Sequence, residues 1–166
     1  RLPIIAEDLG IITDEVVKLK QTLAFPGMKV LHFCFGSVAG GQVPPIGIDR
    51  DSVAYTGTHD NNTTVGWYQE DLADSPAEKE CVDAYLGADA GDSAEELCWR
   101  LIALAYESKA ATVIVPMQDL LALGSSSRMN RPGTMGGGNW AWRLNPGFCA
   151  QATAERLKQL VDKTKR

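Results

Sequence analysis

Three places in the 166-residue chain put polar and acidic groups directly after a short apolar run. Glu7 and Asp8 follow Pro3-Ile4-Ile5-Ala6. Thr56-Gly57-Thr58-His59-Asp60-Asn61-Asn62 follows Ser52-Val53-Ala54-Tyr55. Met117-Gln118-Asp119 follows Val113-Ile114-Val115-Pro116. Two carboxylates on one rim are what cleavage or transfer of a glycosidic bond needs. One protonates the leaving oxygen, and the other attacks the sugar or stabilises an oxocarbenium-like transition state. An isolated Glu-Asp pair reads more simply as a helix-start carboxylate held by amide dipoles. The His59-Asp60 pair adds to the chemical reading, because a His beside a carboxylate hydrogen-bonds sugar hydroxyls. A metal centre would require further ligands, and His32 is the only other histidine and lies on a different run, so no metal is expected. Gly136-Gly137-Gly138 lacks the pattern that cradles phosphates, so neither a nucleotide nor any other cofactor is expected.

The elements that must position these groups alternate between strand and helix. The apolar runs Leu2–Ala6, Met28–Phe35, Ser52–Thr56 and Thr112–Pro116 read as buried strands, since they do not alternate with polar residues. Thr13 is placed to cap a helix that turns Val16, Val17, Leu19 and Leu23 inward and ends before Phe25-Pro26-Gly27. Ser93 starts another helix through Glu107, with Leu97, Leu101, Ile102, Leu104 and Ala105 at helical spacing. A last helix is expected over Thr153–Val161, and a single helical turn over Asp119–Leu123. Such alternation means a parallel sheet with right-handed crossovers, either an open doubly wound sheet or part of a (β/α)₈ barrel. A whole barrel takes about 250 residues, so this chain holds roughly half of one. Ala73–Gly91 is acidic and rich in small residues and reads as a surface excursion. Gly124–Gly147 interleaves Trp140, Trp142, Arg128 and Arg143 with glycines, a mixture typical of site loops. Trp67, Tyr68, Trp140 and Trp142 each suit either sugar stacking or core packing, and two tryptophans flanking Ala141 would point the same way in an extended segment.

Composition narrows the classes. Lys plus Arg number 16 and Asp plus Glu 21, a formal net charge of −5, which argues against nucleic-acid or anionic-membrane partners. With 45% hydrophobic and 22% charged residues the chain is ordinary globular material. No apolar run approaches the ~18 residues of a membrane span. The opening Arg-Leu-Pro-Ile-Ile has neither a start Met nor a secretory pattern, and suggests a chain that begins inside a fold. Cys34, Cys81, Cys98 and Cys149 are scattered and read as free buried thiols, hence a cytoplasmic location in which the Asn61-Asn62-Thr63-Thr64 sequons go unused.

Longer stretches carry a resemblance. Ile5-Ala6-Glu7-Asp8-Leu9-Gly10, Phe25-Pro26-Gly27-Met28-Lys29-Val30-Leu31, Tyr55-Thr56-Gly57-Thr58-His59-Asp60-Asn61 and Thr63-Thr64-Val65-Gly66-Trp67-Tyr68 are similar to the amylomaltases. So are Pro116-Met117-Gln118-Asp119-Leu120-Leu121, Arg128-Met129-Asn130-Arg131-Pro132-Gly133-Thr134 and Gly138-Asn139-Trp140-Ala141-Trp142-Arg143. These are the 4-α-glucanotransferases of the α-amylase clan. The motifs stand in family order across almost the whole chain. The resemblance implies an α/β fold, a (β/α)₈ TIM barrel, of which residues 1–166 form the C-terminal half, strands five to eight, with no second domain. It implies retaining transfer of an α-1,4-glucan segment to the 4-hydroxyl of another glucan or of glucose. By resemblance Glu7 is the general acid/base and Asp60 the transition-state stabiliser, while His59, Asn61, Asn130 and Trp140 bind substrate. The residues alone would equally allow Asp60 as the nucleophile.

The family's nucleophile belongs to strand four, ahead of the first motif, so the 166 residues alone are expected to be inactive. The implied partners are α-1,4-glucans, maltooligosaccharides and the N-terminal half of the barrel. The alternatives are a non-catalytic glucan-binding half-barrel and an α-glucan hydrolase of the same clan. Two departures from the family stand out: Asn62 where many relatives carry Asp, and a Gly36–Arg50 loop without the family's Leu-Pro-His-Asn-Tyr-like stretch.

Overall fold

The computed structural model describes residues 3–35, 48–89, 91–147 and 151–166. Most of the Gly36–Arg50 loop and Cys149 lie outside them. Three short parallel strands run in sequence order, β1 (Gly27–Val30), β2 (Ser52–Tyr55) and β3 (Thr112–Ile114). Gly27 pairs with Ser52 and Val30 with Tyr55, while Val53 pairs with Thr112 and Tyr55 with Ile114. The parallel sheet expected from the alternation is present. Its strands are shorter than the apolar runs that announce them. The run starting at Met28 leaves the sheet after Val30 and closes a 3₁₀ turn over Leu31–Phe33, because an apolar stretch buries equally well as strand or as turn.

The expected first strand does not form among residues 3–6. One backbone bond, Ala6 N–H to Pro26 O at 2.9 Å, ties this segment to the residues leading into β1.

Helix α1 (Asp14–Leu23) forms where expected, with Thr13 at the cap position but without a side-chain cap bond. Its apolar side is not turned into a core as expected. Val16, Val17, Leu19 and Leu23 are all exposed, and no α1 residue is buried. The 3.6-residue period fixes which side of a helix is apolar, whereas burial requires an element to lie against that side. Ile4, Ile5 and Ile114 expose apolar surface as well.

The core is built by the helices that follow β2. Helix α2 (Thr64–Gln69) starts at Thr63, whose hydroxyl accepts the Gly66 N–H at 3.1 Å, and it buries Val65 and Trp67. Helix α4 (Ala94–Glu107) carries a full capping box. The Glu96 N–H donates to Ser93 Oγ at 3.2 Å, and the Ser93 N–H donates to the Glu96 carboxylate at 2.8 Å. Leu101 and Ala105 pack with Leu31, Phe35, Ala54 and Trp67 in one cluster, and Cys98, Trp99 and Ile102 with Val65 in a second.

The stretch read as a surface excursion instead contains helix α3 (Pro76–Leu86), with Pro76 at its first turn and Val82 fully buried. Tyr68 of α2 donates its hydroxyl to Asp83 at 2.5 Å, and Lys79 donates to the same hydroxyl at 2.7 Å, which clamps α3 to α2. Trp67 and Tyr68 are therefore packing residues. The single turn α5 (Met117–Leu120) starts two residues before the expected one, and helix α6 (Gln151–Thr164) is longer at both ends than expected. The Arg156 guanidinium on α6 lies 4.4 Å from the Trp99 ring centroid. Cys34, Cys81 and Cys98 are free thiols, but only Cys98 is buried.

Candidate functional site

The carboxyl end of β2 feeds the loop that carries His59 and Asp60, and a buried carboxylate holds both ends of that loop. Asp119, at the start of α5, accepts the Thr56 hydroxyl at 2.5 Å and the Thr64 N–H at 2.8 Å. Burial pushes its carboxyl up from the ordinary range, while the bonds from Thr56 and Thr64 pull the other way. Inside the loop, Asn61 Oδ1 accepts both the N–H and the hydroxyl of Thr58, at 2.9 and 2.8 Å. Its amide Nδ2 is left as the group it can offer a ligand. Asn62 is buried and donates to Asp71 at 3.1 Å, a bond that an aspartate there could not make.

His32 lies beneath the loop and takes no part in the site. Its ring stacks on Trp67 at 4.4 Å, its Nε2 lies 3.1 Å from the Thr64 hydroxyl, and a Cβ on Gly57 would come within 3.0 Å of it. Burial lowers its pKa from 6.5 to about 3, so the folded protein holds the ring neutral. Below about pH 6.5 the unfolded chain binds a proton that the native state refuses. This histidine's contribution is therefore present at neutral pH and lost as pH falls toward 3, at about 1.4 kcal/mol per pH unit. Urea midpoints at about pH 7 and about pH 5 should thus fall less in a His32→Gln variant than in the unchanged protein. Equal losses in the two proteins would contradict the assignment.

Asp60 is the centre of a small network. Asn130 Nδ2 donates to Asp60 Oδ1 at 2.6 Å, and His59 Nε2 lies 3.3 Å from the same oxygen. The Asn130 N–H donates to His59 O at 3.0 Å, and the Trp140 ring sits 5.0 Å from the His59 ring. The segment around Trp140 is not extended, since this residue has a left-handed backbone with φ +62°. Its N–H is held by Met129 O at 2.7 Å, and 56% of its surface stays exposed. Trp142 is half-buried. His59, Asp60, Asn130 and Trp140, assigned to substrate by resemblance, are thus brought together.

Glu7 joins them through its neighbours. Asp8 forms an ion pair with Lys20 and accepts the Met28 N–H at 2.7 Å. Burial raises the Asp8 pKa, but the Lys20 ammonium and the Met28 amide outweigh it and hold the carboxyl below the usual range. A Cβ on Gly27 would lie 2.3 Å from Asp8 Oδ2, so glycine there is what lets the pair close over β1. With Asp8 committed to β1, Glu7 stays exposed and lines an open groove of about 730 Å³ together with Tyr55, His59, Asp60, Asn61 and Pro132. The helix-start reading of the Glu-Asp pair does not hold, because α1 begins only at Asp14. Sequence reasoning passed over Phe33, which also lines this groove at 64% exposure. It also left Asp119 among the rim acids, although that side chain is only 2% exposed. A second, smaller cavity of about 130 Å³ is lined by Asn62, Gln118, Asp119 and Arg128 as well as by His59 and Asn61.

The family model described as 4-alpha-glucanotransferase matches residues 1–150. The chain belongs to the 4-alpha-glucanotransferase family. A 4-alpha-glucanotransferase of Synechocystis is 51% identical over 146 residues, covering 87% of this chain and 28% of the relative. One from Thermus thermophilus is 44% identical over 170 residues, covering 99% of this chain and 33% of its own length. A solved amylomaltase from Streptococcus agalactiae, in complex with acarbose, superposes with a TM-score of 0.87 at 32% identity, covering all of this chain and 32% of that one. The chain thus spans about a third of the length of the family members it matches. No helix among the described residues is long and apolar enough to cross a membrane.

Proposed function

We infer that these residues form the C-terminal half of the catalytic barrel of a cytoplasmic 4-α-glucanotransferase, and that Glu7 and Asp60 are two of its catalytic carboxylates. The observation that carries this reading is one groove holding both Glu7 and Asp60, the latter in the loop that leaves the carboxyl end of β2, in a chain of this family. The bare apolar side of α1, with Ile4, Ile5 and Ile114, supports a neighbouring half of the barrel packed against this one.

In this reading Glu7 protonates the glycosidic oxygen as the donor bond breaks. Afterwards it takes the proton from the 4-hydroxyl of the incoming glucan. Asp60 stabilises the positive charge that develops on the ring, with His59, Asn61 and Asn130 donating to sugar or carboxylate oxygens around it. The exposed faces of Phe33 and Trp140 offer stacking surfaces for glucose rings. The carboxylate that forms the covalent glycosyl-enzyme is expected on a barrel strand preceding this stretch of sequence, and the substrates are α-1,4-glucans and maltooligosaccharides.

Maltotriose incubated with the full-length protein should give glucose together with maltooligosaccharides longer than the starting sugar, separable by chromatography. Glucose and maltose without longer products would mean hydrolysis in place of transfer. No turnover of maltotriose or of longer maltooligosaccharides would overturn the reading.

A further inference from the structure

We propose that Arg128 is a positioning residue for the transfer reaction, one that acts through Asp60 and Asn130 without touching the sugar. The inference rests on the reading above. The Arg128 guanidinium donates from Nε to Asn130 O at 2.8 Å and from Nη2 to Asp60 O at 2.7 Å. One planar group thereby binds the main chain of two separate segments, the loop after β2 and the stretch that begins at Arg128. The two residues whose carbonyls it holds are themselves joined by the 2.6 Å bond from the Asn130 amide to the Asp60 carboxylate. The result is a closed circuit of Arg128, Asp60 and Asn130 in which the cation fixes the backbone and Asn130 fixes the carboxylate.

Its charge is spent on carbonyls and not on Asp60 itself. That leaves the second carboxylate oxygen of Asp60 free of any bond to arginine. The contrast with Arg143 is informative, since that side chain bonds only carbonyls one and three residues away, those of Trp142 and Trp140. Among the described residues it braces its own turn and joins no second segment. A lysine at position 128 offers a single ammonium on a flexible stem and cannot hold both carbonyls in the fork geometry. Because reacting groups misplaced by about 1 Å can cost up to ~100-fold in rate, a slack circuit should slow the chemical step.

The test uses the full-length enzyme with maltotriose. Arg128→Lys should lower kcat about tenfold or more while leaving KM within about twofold. Added ethylguanidinium should recover part of the lost kcat in Arg128→Ala, at a concentration that leaves the unchanged enzyme unaffected. In a double-mutant cycle, Arg128→Lys with Asn130→Ala should cost little more than the worse single change, because both break one circuit. Should Arg128→Ala fail to fold by its thermal midpoint, Arg128→Lys and the cycle carry the test. An unchanged kcat, an effect confined to KM or additive losses would each overturn the inference. An unchanged enzyme that itself lacks transfer would overturn the functional reading and this inference with it. Normal activity in both the unchanged enzyme and Arg128→Lys would overturn the inference alone.

Discussion

Replacing Glu7 by Gln in the full-length enzyme should lower transfer from maltotriose on the order of 10³-fold, while the affinity for maltooligosaccharides changes by no more than a few-fold. Gln keeps the size and polarity of the side chain but carries no transferable proton, so the leaving oxygen departs unassisted. The local structure favours a clean result. Glu7 is exposed, and the anchoring of its segment is done by Ala6 through Pro26 and by Asp8 through Lys20 and Met28. Among the described residues none is bonded to the Glu7 carboxyl. Turnover measured by product chromatography and binding measured by calorimetry separate the two quantities. Retained turnover, or an equal loss of binding and turnover, would contradict the acid/base role.

Asp60→Asn should cost on the order of 10²–10³-fold in kcat, through loss of negative charge at the developing oxocarbenium. The substitution is nearly isosteric, and its carbonyl oxygen can still accept the bond that Asn130 gives to Oδ1 at 2.6 Å. The backbone carbonyl held by Arg128 is also unaltered. The fall in rate therefore reports charge and not displacement. A thermal midpoint equal to that of the unchanged enzyme is part of the expectation, because the side chain is half exposed. A loss of less than about threefold would remove Asp60 from the chemistry.

Sequence reasoning located the rim because strand ends obey local rules. Ser52–Tyr55 and Thr112–Ile114 are dense in β-branched or small apolar residues, and polar residues follow each within a few positions. The α4 start was legible for the same kind of reason, since a Ser93–Glu96 capping box is written into four consecutive residues. Features that depend on distant partners were not legible. Asp119 looks like one more rim acid until Thr56 and Thr64, more than fifty residues away, are found to enclose it. The Asp8 carboxylate separates from Glu7 only once Lys20 and the bare backbone of Gly27 are in place. Helix α3 hides in an acidic, small-residue stretch because one fully buried side chain, Val82, is enough to seat it. The exposed side of α1 is the reverse case. The pattern is right, but the surface that would cover it is not among the described residues.

The central claim, that Glu7 is the acid/base and Asp60 the stabiliser of a retaining transfer, is tested most directly with α-maltosyl fluoride and azide. Fluoride leaves without being protonated, and azide attacks without a base, so neither half of the reaction needs Glu7. On this account full-length Glu7→Gln, nearly silent on maltotriose, regains turnover and releases α-maltosyl azide, while Asp60→Asn stays slow. Failure of azide to restore Glu7→Gln, a β-configured azide, or equal restoration of both variants would contradict it.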